Sequence, residues 1–425
     1  MVSDVTNRLL TSVGPETRMG AYLRRYWHPI VGEAELQEPG IRPCRILGED
    51  LVLYRDFSGS MGLIQRHCPH RRADLAYGFV EEHGLRCNYH GWRFDERGRC
   101  VEMPFEDATQ QVVRAGERAI ARAYRVRIHC GLIWAYLGPE PAPLIPDWEP
   151  FSWSNGFVQV FFAEVPCNWL QCQENAIDPV HLEWMHQNWS IRQEGRRGPY
   201  APRHLKIAFD EYDFGFVYRR ITQGSTEESE LWTQGRVTLW PNAFYAGDHF
   251  DWHTPIDDRT TLRVSWAFVR VPHEREPFMQ ARPVPAWRGP VRDMDGRWLQ
   301  LRPVNQDFVA LAGQGEIADR SKEHLVSSDE GVVRLRRRLL AELDAVEAGA
   351  EPKALIRDPV ANSRVLLPCP NRQIYIDGLP LKQMLAHPSL GAMIRTYPLQ
   401  SGEPKAVRDA FLAAMGLEGS EETLR

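Results

Sequence analysis

Between residues 27 and 137 apolar and polar positions alternate in short runs broken by Gly, Pro and Asp. The run RILGEDLVLYRD (45–56) predicts two short strands around the turn Gly48, Glu49, Asp50. GLRCNYHGWRFDERGRC (84–100) predicts a hairpin turning near residues 95–98, and YRVRIHCGLIWAYLG (124–138) alternates and closes the region. Strand side chains point alternately to the two faces of a sheet, so this texture predicts a small all-β unit. The following PEPAPLIPDWEP (139–150) has the composition of a linker.

From about residue 158 the pattern changes. Residues 169–188 read as a helix, and long alternating runs at 205–220, 231–244 and 260–271 predict one large antiparallel sheet. Near the end, SSDEGVVRLRRRLLAELDAVEAG (327–349) predicts an amphipathic helix with SSD as its cap and Leu335, Leu339 and Leu343 on one stripe. Its basic run, 334–338, is expected to be a solvated face. Residues 1–25 predict a helix in which Gly20 is a mild penalty. No internal repeat or low-complexity tract is visible.

Composition narrows the class without deciding it. A chain of 425 residues exceeds what one hydrophobic core usually spans, and 43% hydrophobic with 25% charged residues describes a folded protein. A net charge of -5 offers nothing to nucleic acid. Fourteen Trp and seventeen Phe serve mainly as core, with some available to line a pocket for a flat apolar ligand. No run approaches the roughly 20 apolar residues of a membrane span. Residues 1–25 lack the apolar stretch of a signal peptide, so a cytoplasmic setting is expected, where the eight Cys serve metal or core rather than disulfides.

Two constellations carry chemistry. Cys68-Pro69-His70 and Cys87-Asn88-Tyr89-His90 each offer a thiolate and an imidazole from a tight loop. Such a set can hold one zinc ion, or a [2Fe–2S] cluster with both Cys on one iron and both His on the other. A Cys-x-His half-site is cramped for a closed zinc tetrahedron and suits two loops gripping a flat cluster. The second lies in NWLQCQENAIDPVHLEWMHQNW (168–189), where Asp178, His181 and His186 follow at steps of three and five. Three residues keep two side chains on one helix face. Five require a local irregularity to bring both imidazoles to one point. Two His and a carboxylate on one face of an iron leave positions for O2 and substrate.

HCPHRRADL and CNYHGWRFD resemble the two cluster loops of Rieske ring-hydroxylating oxygenases, Arg71, Gly91 and Trp92 included. The segment 168–189 resembles the stretch in which that family places its iron-binding histidines. The resemblance implies a [2Fe–2S] cluster on Cys68, His70, Cys87 and His90, and a mononuclear Fe(II) on His181, His186 and a downstream Asp. Asp307 in PVNQDFVALAGQGEIADRSKEHLVSSD is the preferred third ligand; Glu316, Asp319 and Asp329 are rivals, the last two also readable as helix-boundary residues. It implies that Asp178 is no ligand but a bridge, accepting hydrogen bonds from a cluster His of the neighbouring subunit and from an iron His. The simpler reading of Asp178 is a capping carboxylate ahead of Pro179.

The implied fold is α+β. An N-terminal helical segment (1–26) packs with the catalytic domain. A small all-β Rieske domain (27–145) precedes a helix-grip catalytic domain (146–425) with an antiparallel sheet and C-terminal helices. Gly313-x-Gly315-x-x-Ala318 formally matches a dinucleotide loop, yet no βαβ unit precedes it. Cys167 and Cys172 begin a ferredoxin spacing that no further Cys completes. Electrons must therefore come from a separate reductase, with or without a ferredoxin.

Within the family this chain resembles the phthalate dioxygenase and dehydrodivanillate O-demethylase-like branch, which implies homotrimers or stacked trimers. HLKIAFDEYDFGFVYRR and RVTLWPNAFYAGDHFDWHTPIDD resemble relatives acting on aromatic carboxylates. Arg236, then Arg219 and Arg220, are candidates to grip such a carboxylate. Monooxygenation of the O-demethylase kind is expected ahead of ring cis-dihydroxylation. A Rieske electron carrier or a zinc-stabilised binding module would leave the second His pair and the large C-terminal region without a role.

Overall fold

The computed structural model describes residues 2–418 apart from 37–38, 107–118, 388–389, 392–393, 396 and 399. Six antiparallel strands form the first sheet, in the order Trp27–Gly32, Leu132–Tyr136, Ala123–His129, Met61–Gln65, Glu49–Arg55 and Gly40–Ile46. Two of its hairpins turn on consecutive left-handed residues, Leu47 and Gly48 (φ 48° and 76°) and Cys130 and Gly131 (φ 54° and 76°). That geometry matches the twist of the flanking strands. A second sheet joins Phe79–Val80, Leu85–Arg86, Arg93–Phe94 and Cys100–Glu102. Its last turn is held by the Asp95 carboxylate, which accepts from the N–H groups of Arg97 and Arg99. Val52, Ile64, Leu75, Leu85 and Phe94 form the core of this region around Cys68 and Cys87.

The large sheet has eight strands, ordered His204–Tyr212, Gly215–Thr222, Arg236–Leu239, Ala243–Tyr245, His249–Pro255, Thr261–Arg270, Gly156–Val165 and Ala286–Arg288. Every pairing is antiparallel except the last, which is parallel. The single strand expected over 231–244 is instead a helical turn, Glu230–Thr233, and two strands separated at Trp240-Pro241-Asn242. Pro241 has no N–H to continue a ladder. Phe250 stacks on Trp252, and Trp266 on Phe268, so this face of the sheet is the apolar core. The opposite face is mixed, carrying Asp251, His253 and Arg263 beside the apolar Phe216, Tyr218 and Phe244.

Helices cover that face, Trp169, Leu335 and Leu339 packing in one cluster with Phe216 and Tyr218. The N-terminal helix expected over 1–25 is two helices, Asp4–Thr11 and Arg18–Leu23, capped by the side chains of Ser3 and Thr17. The break falls at Gly14-Pro15, and Gly20 is required by packing: a Cβ there would sit 2.0 Å from the Gly14 carbonyl oxygen. Glu330–Glu347 buries Leu335, Leu339 and Leu343 as its periodicity predicts. Its basic run is not a solvated face throughout. Arg336 is buried, donating to Glu174 and Glu323, and Arg320 also donates to Glu174. Two guanidiniums around one buried carboxylate clamp Trp169–Ile177 to the later helices, and they hold the Glu174 carboxyl below its usual range against the effect of burial. The proline-rich segment is pinned rather than free, Leu144 N–H donating to Ile356 and Glu149 N–H to Val365.

Candidate functional site

Cys68 and Cys87 sit at the heads of two facing loops. Each loop is closed by its own backbone: Cys68 N–H donates to Ala73 O, and Cys87 N–H to Trp92 O, both at 2.8 Å. Each needs one left-handed residue, Arg72 (φ 65°) and Gly91 (φ 73°). The two thiols are buried side by side, while His70 is exposed and its ring centroid lies 4.7 Å from that of His90. Trp92 stacks on His70 at 4.3 Å and 3°. Burial and then the Cys87 thiol push the Cys68 thiol up to about 12, although the N–H groups of His70 and Arg71 oppose this. A metal would have to displace the thiol protons to bind here, so binding at this site releases protons. The four donors fit a cluster with a buried sulfur end and a solvent-facing imidazole end.

The second constellation lies where the predicted helix 169–188 is interrupted. Trp169–Ile177 ends at Asp178, whose backbone is extended (φ -88°, ψ 113°). After Pro179 the chain resumes as a π-helix, Leu182–Gln187. Its wider turn brings residues five apart to the same side. The rings of His181 and His186 are thereby 5.4 Å apart. Asp307, from helix Pro303–Ala312, places Oδ1 3.7 Å from His181 Nε2 and 3.4 Å from His186 Nε2. One donor atom from each lies within 4.8 Å of the other two, an arrangement able to hold a metal ion. Burial disfavours the charge on Asp307, but His186 and then His181 hold its carboxyl below the usual range.

Asp178 does not share a continuous helix face with His181. Its Oδ1 caps the next turn by accepting from Val180 N–H at 2.8 Å, and Oδ2 lies 3.5 Å from His181 Nδ1. That ring nitrogen is buried without a hydrogen-bond partner. The rival acids are elsewhere: Glu316 pairs with Arg259, Asp319 caps Arg320–Lys322, and Asp329 accepts from Val326 N–H.

A cavity of about 600 Å³ opens onto the three-residue cluster and is lined also by Arg236 and Phe244. Arg219 and Arg220 do not line it. Arg219 is held by Asp210 and two backbone carbonyls. Arg220 is buried and donates to Glu183 at 2.8 Å, whose other oxygen meets His204 Nε2 at 2.6 Å. This triad ties the π-helix to the first two strands of the sheet. Several cavity residues went unnoticed in the sequence, His249, Asp251 and His253 on one strand and Arg263 on the next, and so did Gln306, which lies outside the cavity lining with its Oε1 2.9 Å from His186 Nδ1. Their signal was HFDWH, polar at every second position of a strand that is buried on both faces. Burial opposes charge on His249, yet Asp248 (2.8 Å) and Asp251 (3.4 Å) raise its pKa to about 10. Burial takes His253 down to about 3, helped by Arg263.

The Rieske [2Fe-2S] domain family matches residues 26–114. The oxygenase subunit of 5,5'-dehydrodivanillate O-demethylase from Sphingobium sp. is 51% identical over 407 residues, 96% of this chain and 95% of that protein. The phthalate 4,5-dioxygenase oxygenase subunit of Pseudomonas putida is 32% identical over 82% of this chain and 88% of its own. The oxygenase in the ferredoxin complex of carbazole 1,9a-dioxygenase shares the fold, with a TM-score of 0.54 and 18% identity over 85% of this chain and 99% of that one.

Proposed function

The chain belongs to the Rieske non-haem iron oxygenases, as the oxygenase component of a multicomponent system, and from that premise we propose that it demethylates a methoxylated aromatic acid. It is an oxidoreductase with a Rieske [2Fe–2S] cluster, a mononuclear non-haem iron and O2 as co-substrate. Separate components deliver its electrons; a reductase, with or without a ferredoxin, is the proposed donor. When bound, the cluster and the iron supply electron relay and O2 activation.

Residues 1–26, 27–145 and 146–425 are proposed as the N-terminal helical segment, the Rieske domain and the catalytic domain. Cys68, His70, Cys87 and His90 are assigned to the cluster, and His181, His186 and Asp307 to the iron. The observation that carries the reading is the convergence of those last three on a cavity that also holds a guanidinium. The Arg236 side chain lines the cavity beside Tyr218 and forms no ion pair among the described residues. Its fork is therefore available to a carboxylate. Beside Asp178 an open groove exposes Trp184 to 61%. That surface supports docking of a neighbouring copy in a trimer, its His90 meeting Asp178, because a head-to-tail contact closes into a ring.

The test couples purified protein to a reductase and screens methoxylated aromatic acids, following NADH, O2 and formaldehyde. O-demethylation predicts one formaldehyde per O2 and per NADH, the methoxy group leaving as formaldehyde and a phenol remaining. A cis-diol without formaldehyde would establish ring dihydroxylation instead, the activity named for the phthalate relative.

A further inference from the structure

We infer that the Tyr218 hydroxyl completes the carboxylate site begun by Arg236, so that the cavity grips one substrate carboxylate at both oxygens; this rests on the aromatic-acid reading and adds a residue that sets its specificity. Tyr218 and Arg236 are direct register partners on adjacent strands, and both line the cavity. Directly opposed residues of an antiparallel pair carry their Cβ atoms about 4.5–5.5 Å apart on one face, so the two side chains leave the sheet together.

The two ends of Tyr218 have different surroundings. Its ring is core: the residue is 1% exposed and packs in one cluster with Trp169, Phe216 and Leu335. A buried Tyr usually finds a hydrogen-bond partner for its O–H. This one has none among the described residues. The hydroxyls of Tyr54, Tyr212 and Tyr397 are also unpaired, but those are fully enclosed; that of Tyr218 is not among them, so it keeps accessible surface in the cavity. Burial raises the pKa of this hydroxyl, and the Arg236 guanidinium is the foremost influence opposing the rise. The group therefore stays a neutral O–H, with the guanidinium close enough to act on it. Arg236 itself forms no hydrogen bond or ion pair among the described residues.

Two unused donors thus face the cavity side by side, one cationic and one neutral. A guanidinium can only donate, and the hydroxyl has a hydrogen to give. A carboxylate is their complement: it only accepts, it has two oxygens, and it carries the opposite charge. One oxygen takes the Arg236 fork and the other the Tyr218 O–H. A single carbonyl oxygen goes to the cationic donor and leaves the hydroxyl bare. Conjugation keeps an aromatic carboxylate near the plane of its ring. Holding both oxygens therefore fixes how the ring is turned, which a one-point grip leaves free.

The test is calorimetric binding to anaerobic holoenzyme without reductant, so that nothing turns over. The probes are 5,5'-dehydrodivanillate and its dialdehyde analogue, in which a formyl group replaces each carboxylate. Wild-type protein should prefer the acid by about 100-fold or more, because the aldehyde brings Arg236 no charge and only one oxygen. Tyr218→Phe should weaken the acid about 10- to 100-fold, the range for one hydrogen bond to a charged group, and the dialdehyde by less than about threefold. The fold makes no bond to this oxygen, so iron content and the unfolding midpoint should match wild type. Acid binding unchanged in Tyr218→Phe would overturn the two-point grip and leave the hydroxyl to an ordered water, while the wild-type preference would keep the aromatic-acid reading standing. Equal losses for both probes would overturn the grip too, reducing Tyr218 to packing. A wild type with no preference for the acid, or one that binds neither probe, would overturn the aromatic-acid reading and the grip with it.

Discussion

Gln306 Oε1 lies 2.9 Å from His186 Nδ1, one residue ahead of Asp307 in the same helix. Gln306 Nε2 donates to Gln300 O at 3.3 Å, so the Oε1 is the accepting end and His186 carries its hydrogen on Nδ1. Nε2, the nitrogen facing Asp307, keeps its lone pair for a metal. One helix thereby contributes the Asp307 carboxylate and also fixes the tautomer of the histidine opposite.

Gln306→Leu should weaken mononuclear iron binding about 10- to 100-fold, the usual cost of losing a partner behind a metal-binding His. The visible cluster spectrum should be unchanged, because its proposed ligands lie in another sheet. Iron retention during dialysis against a graded chelator checks this. Retention equal to wild type would remove Gln306 from the site.

Arg236 and Arg220 should separate cleanly. Arg236→Met should raise KM for an acidic substrate about 10- to 100-fold with both metals retained, as a carboxylate loses a charge-assisted pair. Arg220→Met should instead cost about 3 kcal/mol of stability by leaving the buried Glu183 with His204 alone. Steady-state kinetics and denaturant titration distinguish the two. An unchanged KM in Arg236→Met would remove it from the pocket.

The His249 cluster predicts the sign of a pH dependence. Against burial, Asp248 and Asp251 raise its folded pKa to about 10, above the roughly 6.5 of an unfolded His. Its contribution is complete below that unfolded value and is lost as pH rises through about 10. Stability should therefore fall between pH 7 and 10, by at most about 1.4 kcal/mol per pH unit for one proton. In His249→Gln that slope should be flatter. Identical slopes for the two proteins would contradict the charged assignment.

What the chain disclosed in advance depended on range. The two Cys/His loops are local, as is the leucine stripe at 335, 339 and 343, and both were legible from spacing. The five-residue step from His181 to His186 demanded an irregularity, though not its form, which is a π-helix following the break at Asp178 and Pro179. Arg220 read as a possible substrate residue because its partner, Glu183, lies 37 positions upstream. Arg336 read as solvated because Glu174 is 162 positions away. The alternation of His249, Asp251 and His253 was visible as period two. Its chemistry was not, because it depends on Gln173 and on Arg263 from other elements.

Asp178→Asn tests the proposed electron path. If Asp178 accepts a hydrogen bond from His90 of a neighbouring copy and from His181, the amide has one acceptor oxygen for two N–H donors. Turnover should fall about 10- to 100-fold, with cluster absorbance, iron and assembly retained. Stopped-flow reoxidation of the reduced cluster, with substrate and O2 present, should slow in parallel. Reoxidation at the wild-type rate would mean that electrons travel another way.

The most direct measurement of the account is metal content with EPR on the purified chain and on His181→Ala and Asp307→Ala. Wild type should hold one two-iron cluster and one further iron per chain, with a Rieske signal on reduction. Each variant should lose the single iron alone and keep that signal. Zinc in place of the cluster, or variants that keep the full iron content, would contradict the assignment of these residues to two separate iron centres.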